Sequence, residues 1–318
     1  MNRVLVIGGA GFIGSALIAE LQSYNYEIFV IDNLSFGNRE FIHIPDSHFF
    51  KVDILNQHDL ELAITRINPT WIIHLAAIHF IPYCNQNPFA SSNINIKGVI
   101  NVLQAARQLK QLSKMFFAST AAVYPICDYA IPEEQQPEPM DIYGLTKLTG
   151  EHLVHQFHLQ TSIPTIICRF FNAFGPNETN PHLIPEIQRQ INTGLRTIRL
   201  GNLEPKRDFI HTSDMVWATR LLLEKFDIGI DTFNLGSGKE YSVLDVVKAF
   251  ERQLGEPITI EVDPARVRKV ERMHLLADIS KLTSRINWEP RMSLDEGIKT
   301  LIKAQPLIEL ANLHTGRK

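Results

Sequence analysis

Through the first half of the chain, short runs of β-branched and apolar residues alternate with longer stretches of helical periodicity. Val4–Ile7, Ile28–Asp32, Phe49–Asp53, Trp71–Leu75, Met115–Ser119 and Thr165–Phe170 read as strands. Between them, Phe12–Gln22, Leu60–Ile67, Ala90–Leu109 and Ile142–Leu159 have the length and spacing of helices, and Asp141 is placed to cap the last. Repeats of strand, helix and strand predict an α/β protein with a doubly wound parallel sheet covered on both faces. After Asn172 the texture changes: the Gly- and Pro-punctuated segments GPNETNPHLIP and GNLEPKRDF precede a helix near Asp214–Glu224 and a strand near Asp231–Leu235. The expected division puts residues 1–172 and about 212–235 in the sheet domain and 173–211 and 236–318 in a smaller, discontinuous one. The Pro/Glu-rich IPEEQQPEP at 131–139 reads as a surface loop ahead of a helix.

Composition narrows the classes of partner. The 318 residues are 45% hydrophobic and 20% charged, enough for a full core and for two units that share a cleft. Lys+Arg 31 against Asp+Glu 34 leaves a net charge of -3 without a one-sign block, which argues against a nucleic-acid partner. Cys84, Cys127 and Cys168 are scattered, odd in number and form no CxxC, so they suggest neither a disulfide framework nor a thiolate metal site and fit a reducing, cytoplasmic setting. Glycines at 8, 9, 11 and 14 interrupt the first apolar stretch, which reads as structure rather than as a signal peptide. Trp71–Ile81 falls far short of the ~20 residues a bilayer span needs, so no membrane association is expected. His152, His155 and His158 invite a metal reading, but no carboxylate or thiolate completes a set. Six residues of helix also spread the outer two apart. No metal is expected, and that helix face is read as polar or subunit-facing.

Directly after the first strand comes Gly8-Gly9-Ala10-Gly11-Phe12-Ile13-Gly14, a GxxGxxG that opens a helix. Bare backbone there lets a pyrophosphate approach, and the unpaired N–H groups of a helix start face its charge. The second strand ends at Asp32, eighteen residues beyond Gly14, where a carboxylate can bind the adenosine ribose hydroxyls and repel a 2′-phosphate. The reading is a Rossmann domain that prefers NAD to NADP, with Asp53-Ile54 flanking the adenine. A second constellation is Tyr143 and Lys147, four residues apart on one helix face, with Ser119-Thr120 at the end of the preceding strand. An ammonium and a cationic cofactor beside a phenol favour the phenolate, which then serves as a base near neutral pH. Thr120 is placed to hydrogen-bond the same substrate oxygen.

These motifs resemble the extended short-chain dehydrogenases/reductases of the NAD-dependent nucleotide-sugar epimerase/dehydratase family, most closely the UDP-glucose 4-epimerases. The resemblance runs through GGAGFIG (8–14), DNLSFG (32–37), His74-Leu75-Ala76-Ala77, Asn95 with Gly98, STAAVY (119–124), YGLTK (143–147), RFFNAFGP (169–176), RDFIHTSD (207–214), NLGSG (234–238) and ADISK (277–281). It implies NAD contacts at Gly8, Gly11, Phe12, Ile13, Gly14, Asp32, Asn33, Asp53, Ile54, Ala76, Ser119, Tyr143 and Lys147. It also implies catalysis by Thr120 and Tyr143 with Lys147, and nucleotide-sugar contacts at Asn172, Arg207 and Arg268. Family members commonly pair through the two long helices, here Ala90–Leu109 and Ile142–Leu159, so a homodimer is expected. The stretch PARVRKVERMHLLAD lacks the Arg-x-Gly-Asp that commonly precedes the Ala-Asp pair, and Arg266 or Arg272 could substitute in the diphosphate clamp. Pro125 replaces a usual Gly; His79 and His182 stand where polar residues often meet cofactor or sugar, and His79 could equally pack inside the protein.

Within the resemblance, the two residues after Thr120 decide the reaction. Dehydratases place Asp-Glu there, decarboxylases keep a Glu and 3,5-epimerases use a Cys; here the places hold Ala121 and Ala122, whose methyl groups move no protons. The remaining set suffices for reversible oxidation at one carbon. The expectation is therefore inversion at C4 of a UDP-hexose through a 4-keto sugar, with a 4-keto-forming or dehydrating relative using a group such as His79 as the alternative. An NAD sensor without turnover is the alternative of another class, although a sensor has no need of the lysine-tuned phenol. Leu275 occupies the place where glucose- and galactose-restricted enzymes often carry Tyr, which leaves room for an N-acetyl group.

Overall fold

The computed structural model describes residues 2–266 and 272–303. Its centre is a seven-stranded sheet whose strands pair in parallel throughout. From one edge the order is Phe49–Phe50, Tyr26–Ile31, Asn2–Ile7, Trp71–His74, Lys114–Thr120, Thr165–Phe170 and Ile230–Leu235. The chain reverses its direction of winding between Asn2–Ile7 and Trp71–His74, and such a switch opens a crevice at the carboxyl ends of the strands. Both faces are covered, as continuous apolar strands require. Helices Phe12–Gln22 and Thr212–Lys225 pack on one side with Leu17, Ile18, Leu222 and Leu223. Helices Gln57–Ile67, Gly98–Ala106 and Ile142–Thr161 close the other with Leu60, Val102, Val154 and Phe157.

Two departures from the sequence pattern have local causes. The third strand stops at Phe50, because Val52 N–H folds back to Phe50 O (3.0 Å) and Asp53 is drawn to Asn33 Nδ2 (2.9 Å). The helix expected over 90–109 is broken into Pro88–Ser92, a π-turn at Asn93–Lys97 and Gly98–Ala106, with a separate helix at Ile81–Gln86 before it. Pro82 and Pro88 start the first two, where a missing N–H costs nothing. By contrast, Asp141 caps Ile142–Thr161 as its sequence suggests, accepting Gly144 N–H at 2.8 Å.

Among the described residues three small sheets complete the fold: Asn172–Phe174 with Lys206–His211 and Glu240–Ser242, Thr197–Leu200 with Thr259–Val262, and Ala130–Ile131 with Leu276–Ala277. Asp208, fully buried, ties the first of these to the last: its carboxylate accepts Ser237 N–H and Oγ–H (2.6 Å each), Gly238 N–H (2.9 Å) and Ala277 N–H (3.2 Å). The 131–139 segment is more than a surface loop. Ile131 is buried, Glu133 accepts Asn234 N–H at 2.8 Å, and its carbonyl takes an Arg169 N–H at 3.1 Å. No helix among the described residues is long and apolar enough to cross a membrane.

Candidate active site

A cavity of about 1040 Å³ opens at the carboxyl ends of the strands. One end is the glycine loop. Gly8 sits at φ +85°, and a Cβ there would meet Ala76 N at 2.6 Å; a Cβ on Gly14 would strike Gly8 O. Gly11 begins helix Phe12–Gln22 with no side chain capping it, so the first helical N–H groups are left to a ligand. Asp32 braces this loop, its Oδ2 accepting Ala10 N–H (3.0 Å) and its Oδ1 Leu34 N–H (2.8 Å). Burial raises its carboxyl pKa against those two bonds. Asn33 and Asp53 bond each other along the same rim, and Ile54 packs against Gly98. A bare, donor-rich loop with one acidic side chain beyond it fits an adenine dinucleotide.

The other end holds Thr120, Tyr143 and Lys147. Thr120 ends its strand; its hydroxyl accepts Ala122 N–H (3.1 Å) and stands near the Tyr143 phenol. Burial pushes the Tyr143 pKa up, partly offset by the Thr120 hydroxyl. One helical turn on, Lys147 is 2% exposed with its ammonium 4.2 Å from the centre of the Phe117 ring. Burial lowers it to about 7, Glu151 acting in the opposite sense. Beneath them lies a network that sequence reading missed: Arg169 forks onto Glu151 (3.0 and 2.8 Å), Ser119 Oγ donates to Glu151 (2.5 Å), and Arg169 reaches Tyr124 OH (2.9 Å), which donates to Asn234 (2.7 Å). Ser119 lines the cavity, yet its hydroxyl serves this network.

Gly8, Gly11, Phe12, Ile13, Gly14, Asp32, Asn33, Asp53, Ile54, Ala76, Ser119, Thr120, Tyr143, Lys147, His79, Asn172, His182, Arg207 and Leu275 all line this one cavity. Arg268 lies outside the described residues. Arg207 donates to the carbonyls of Lys206 (2.8 Å) and Arg272 (2.6 Å). Of the two candidate substitutes, Arg266 is paired with Glu186 (2.9 Å) and Asp263 (3.4 Å). Arg272 instead donates to Tyr124 O (2.8 Å), and its buried Nη1 has no partner among the described residues. Leu275, 8% exposed, packs with Tyr124, Phe171 and Ala277.

Glu178 was not singled out in the sequence; it is 4% exposed on the same wall, and burial raises its carboxyl to about 7. Its carboxylate, the His79 ring and the His182 ring have ligand-type atoms within 4.8 Å of one another. Burial and the nearby Lys147 charge lower His79 to about 4. The only sequence signal for Glu178 is a lone acid between Pro176 and Pro181, too common to be read. His152 and His155 are exposed, and His158 Nδ1 pairs with Ile163 O at 2.8 Å, a helix-end contact.

Comparison with known proteins agrees with this geometry. A family model described as GDP-mannose 4,6 dehydratase matches residues 5–301. The UDP-glucose 4-epimerase of Corynebacterium glutamicum is 30% identical over 305 residues, covering 91% of each chain. Among solved structures, the Thermus thermophilus UDP-glucose 4-epimerase in complex with NAD superposes with a TM-score of 0.85 at 27% identity, covering 95% of this chain and 98% of its own. The Thermotoga maritima UDP-glucose 4-epimerase with UDP-glucose gives 0.85 at 27% identity, over 95% and 97%.

Proposed function

We propose that this chain, which belongs to the extended short-chain dehydrogenase/reductase family of nucleotide-sugar epimerases and dehydratases, is an NAD-dependent 4-epimerase of UDP-hexoses. The observation that carries the reading is the convergence of Thr120, Tyr143 and Lys147 on the cavity that begins at the glycine loop, with only methyl groups at Ala121 and Ala122 beside them. NAD, when bound, supplies a hydride acceptor and donor at C4 and a positive charge beside the phenol.

The protein's own part is proton handling and orientation. Tyr143 takes the 4-hydroxyl proton and later returns it; Thr120, beside the phenol, holds the same oxygen. Lys147 stands one turn from Tyr143 and lowers the cost of the phenolate when it carries its charge. The Arg169–Glu151–Ser119 network fixes the helix that presents both residues. Asp32 receives the ribose and disfavours a 2′-phosphate, while Arg207 and Arg272 offer guanidinium donors to the nucleotide-sugar. In this reading the cleft lies between the sheet part, 1–172 with about 212–235, and the smaller part, 173–211 with 236–318.

The test is direct. Purified protein should carry NAD, released on denaturation and identified by its absorbance and mass. Incubated with UDP-glucose, it should yield UDP-galactose by chromatography, and Tyr143→Phe should lower turnover by roughly 10²–10⁴-fold while keeping the cofactor. A Phe variant with most of its rate intact would remove Tyr143 as the base, and loss of water from the sugar in mass spectra would point instead to a dehydratase.

A further inference from the structure

Once Thr120, Tyr143 and Lys147 are assigned, one ionisable cluster of the cleft is left without work: His79, Glu178 and His182. The carboxyl is its centre. Glu178 lines the same cavity as Tyr143 and Thr120 although it is 4% exposed. Its Oε1 accepts Asn180 N–H at 2.9 Å. Among the described residues no cation offsets its burial, which pushes the carboxyl up to about 7 against bonds from Asn180 and Thr179. Asn180 also joins it to His79, with Nδ2 2.9 Å from His79 Nε2. His79 in turn feels the Lys147 charge, and the cluster shares one cavity with the groups that handle the C4 hydroxyl.

Burying a carboxyl without a cation costs folding free energy and returns no ion pair. A group kept under those conditions on a cleft wall is suited to moving a proton near neutral pH. A metal reading of the trio fits less well. His79 Nε2 is already engaged by Asn180 at 2.9 Å, so a metal there would have to displace that bond.

We propose that Glu178 is a second acid/base group of the cleft, which takes and returns the hydrogen on a carbon next to the C4 ketone. The enzyme then enolises its nucleotide-sugar intermediate as well as inverting C4. This rests on the 4-keto reading above. In the 4-keto sugar the hydrogens on C3 and C5 are acidified by the carbonyl. The Glu178 carboxylate takes one as a proton, the C–H electron pair moves into a new carbon–carbon double bond, and the carbonyl pair moves onto O4. The resulting enolate oxygen is held by the Thr120 and Tyr143 hydroxyls. Return of a proton from the Glu178 carboxyl restores the ketone with no net redox change. Because that carboxyl exchanges with water while the enolate persists, solvent hydrogen enters the sugar. Water is not eliminated, since Ala121 and Ala122 offer no acid to a leaving hydroxyl.

The experiment uses the cofactor-loaded protein with UDP-glucose and, separately, UDP-N-acetylglucosamine in D2O. Carbon-bound deuterium is read by mass spectrometry and located by NMR, and C4 inversion is measured in the same samples. The wild type should gain deuterium at C3 or C5. Glu178→Gln should lower the ratio of exchange to inversion at least ~100-fold, and Glu178→Asp, which keeps the carboxyl, should restore part of it. A residue that only props up the wall would slow both processes together and leave the ratio alone. Should the Gln variant fail to fold, wild-type exchange and the Asp ratio decide. Inversion without any deuterium in the wild type, or an unchanged ratio in Glu178→Gln, overturns this proposal and leaves the epimerase reading standing. Neither inversion nor exchange with either sugar overturns both.

Discussion

Leu275 shows how far a single side chain can be read. Its register, counted back from Ala277-Asp278, puts it where a bulky aromatic would crowd the sugar, and the fold does place it on the cavity wall, 8% exposed beside Tyr124 and Phe171. Filling that space with Leu275→Tyr should shift the ratio of kcat/KM for UDP-N-acetylglucosamine over UDP-glucose against the acetylated sugar by ~1–3 kcal/mol. Steady-state kinetics on both sugars check it, and an unchanged ratio would show that residue 275 is not the gate. The residues legible in the sequence share one property: backbone or chemistry demands that residue type there. Gly8 is legible because its φ of +85° and the 2.6 Å approach to Ala76 N leave no room for a Cβ. Glu178, Arg169 and Glu151 were not legible, because an acid or a guanidinium becomes unusual only when the fold buries it. His74 was legible as part of a motif but not in its state. It is fully buried and stacked on Phe117, and neither ring nitrogen has a partner among the described residues. Burial with the nearby Lys147 lowers it from 6.5 to about 3. Between those pH values the unfolded chain binds a proton that the folded protein refuses. Stability is therefore lost as pH falls below 6.5, and the loss from this group ends near 3. Compared with the wild type, His74→Phe should become relatively more stable by up to ~1.4 kcal/mol per pH unit below 6.5. Urea unfolding at about pH 7, 6 and 5 reads this as a slope, so a fixed packing offset from the larger ring cancels; parallel pH profiles would contradict it.

At the scale of elements, periodicity predicted the strands and the two helices flanking the glycine loop and the catalytic pair, and Phe12–Gln22 and Thr165–Phe170 form with the expected bounds. It missed the interruption at Asn93–Lys97, because one extra residue in a helical turn leaves the apolar spacing on either side almost intact. The π-turn has a visible use. It turns Asn95 inward, where its Oδ1 accepts Ile78 N–H (2.8 Å) and its Nδ2 donates to Ile78 O (2.9 Å) and Thr146 Oγ1 (3.0 Å). One side chain thus pins the loop that carries His79 to the helix that carries Tyr143 and Lys147. Asn95→Leu keeps the approximate volume but leaves the Ile78 backbone groups buried without partners. It should cost on the order of 2–4 kcal/mol, since each unsatisfied buried group costs about 1–3 kcal/mol. Denaturant unfolding measures the loss, and turnover should fall with it because the loop and the catalytic helix lose their common tie. A fully stable variant would mean that Asn95 is not what holds the two together.

For the whole molecule, the resemblance implies a pair of subunits joined through the long helices, and the surface supports that arrangement in particulars. On Ile142–Thr161, Leu145, His152 and Leu159 recur at sevenfold spacing and so share one face. Leu145 is 50% exposed and Leu159 60% exposed. Pro88–Ser92 packs beside this helix and presents Phe89, 84% exposed, while Ile100 on Gly98–Ala106 is 36% exposed. These four apolar side chains are exposed on neighbouring helices, where burial against a second copy would be favourable, and a two-fold axis would let the same face cover itself. A stable dimer of this type buries about 1,200–2,000 Å² in total, which two helices per subunit can supply. The protein should therefore sediment and scatter light as a homodimer at micromolar concentration. Phe89→Glu with Leu145→Glu should convert it to a monomer, because each carboxylate would be buried against apolar side chains without a cation. Neither residue lines the cavity, so the monomer should still retain NAD. A wild-type monomer at micromolar concentration, or a double variant that remains dimeric, would move the interface elsewhere.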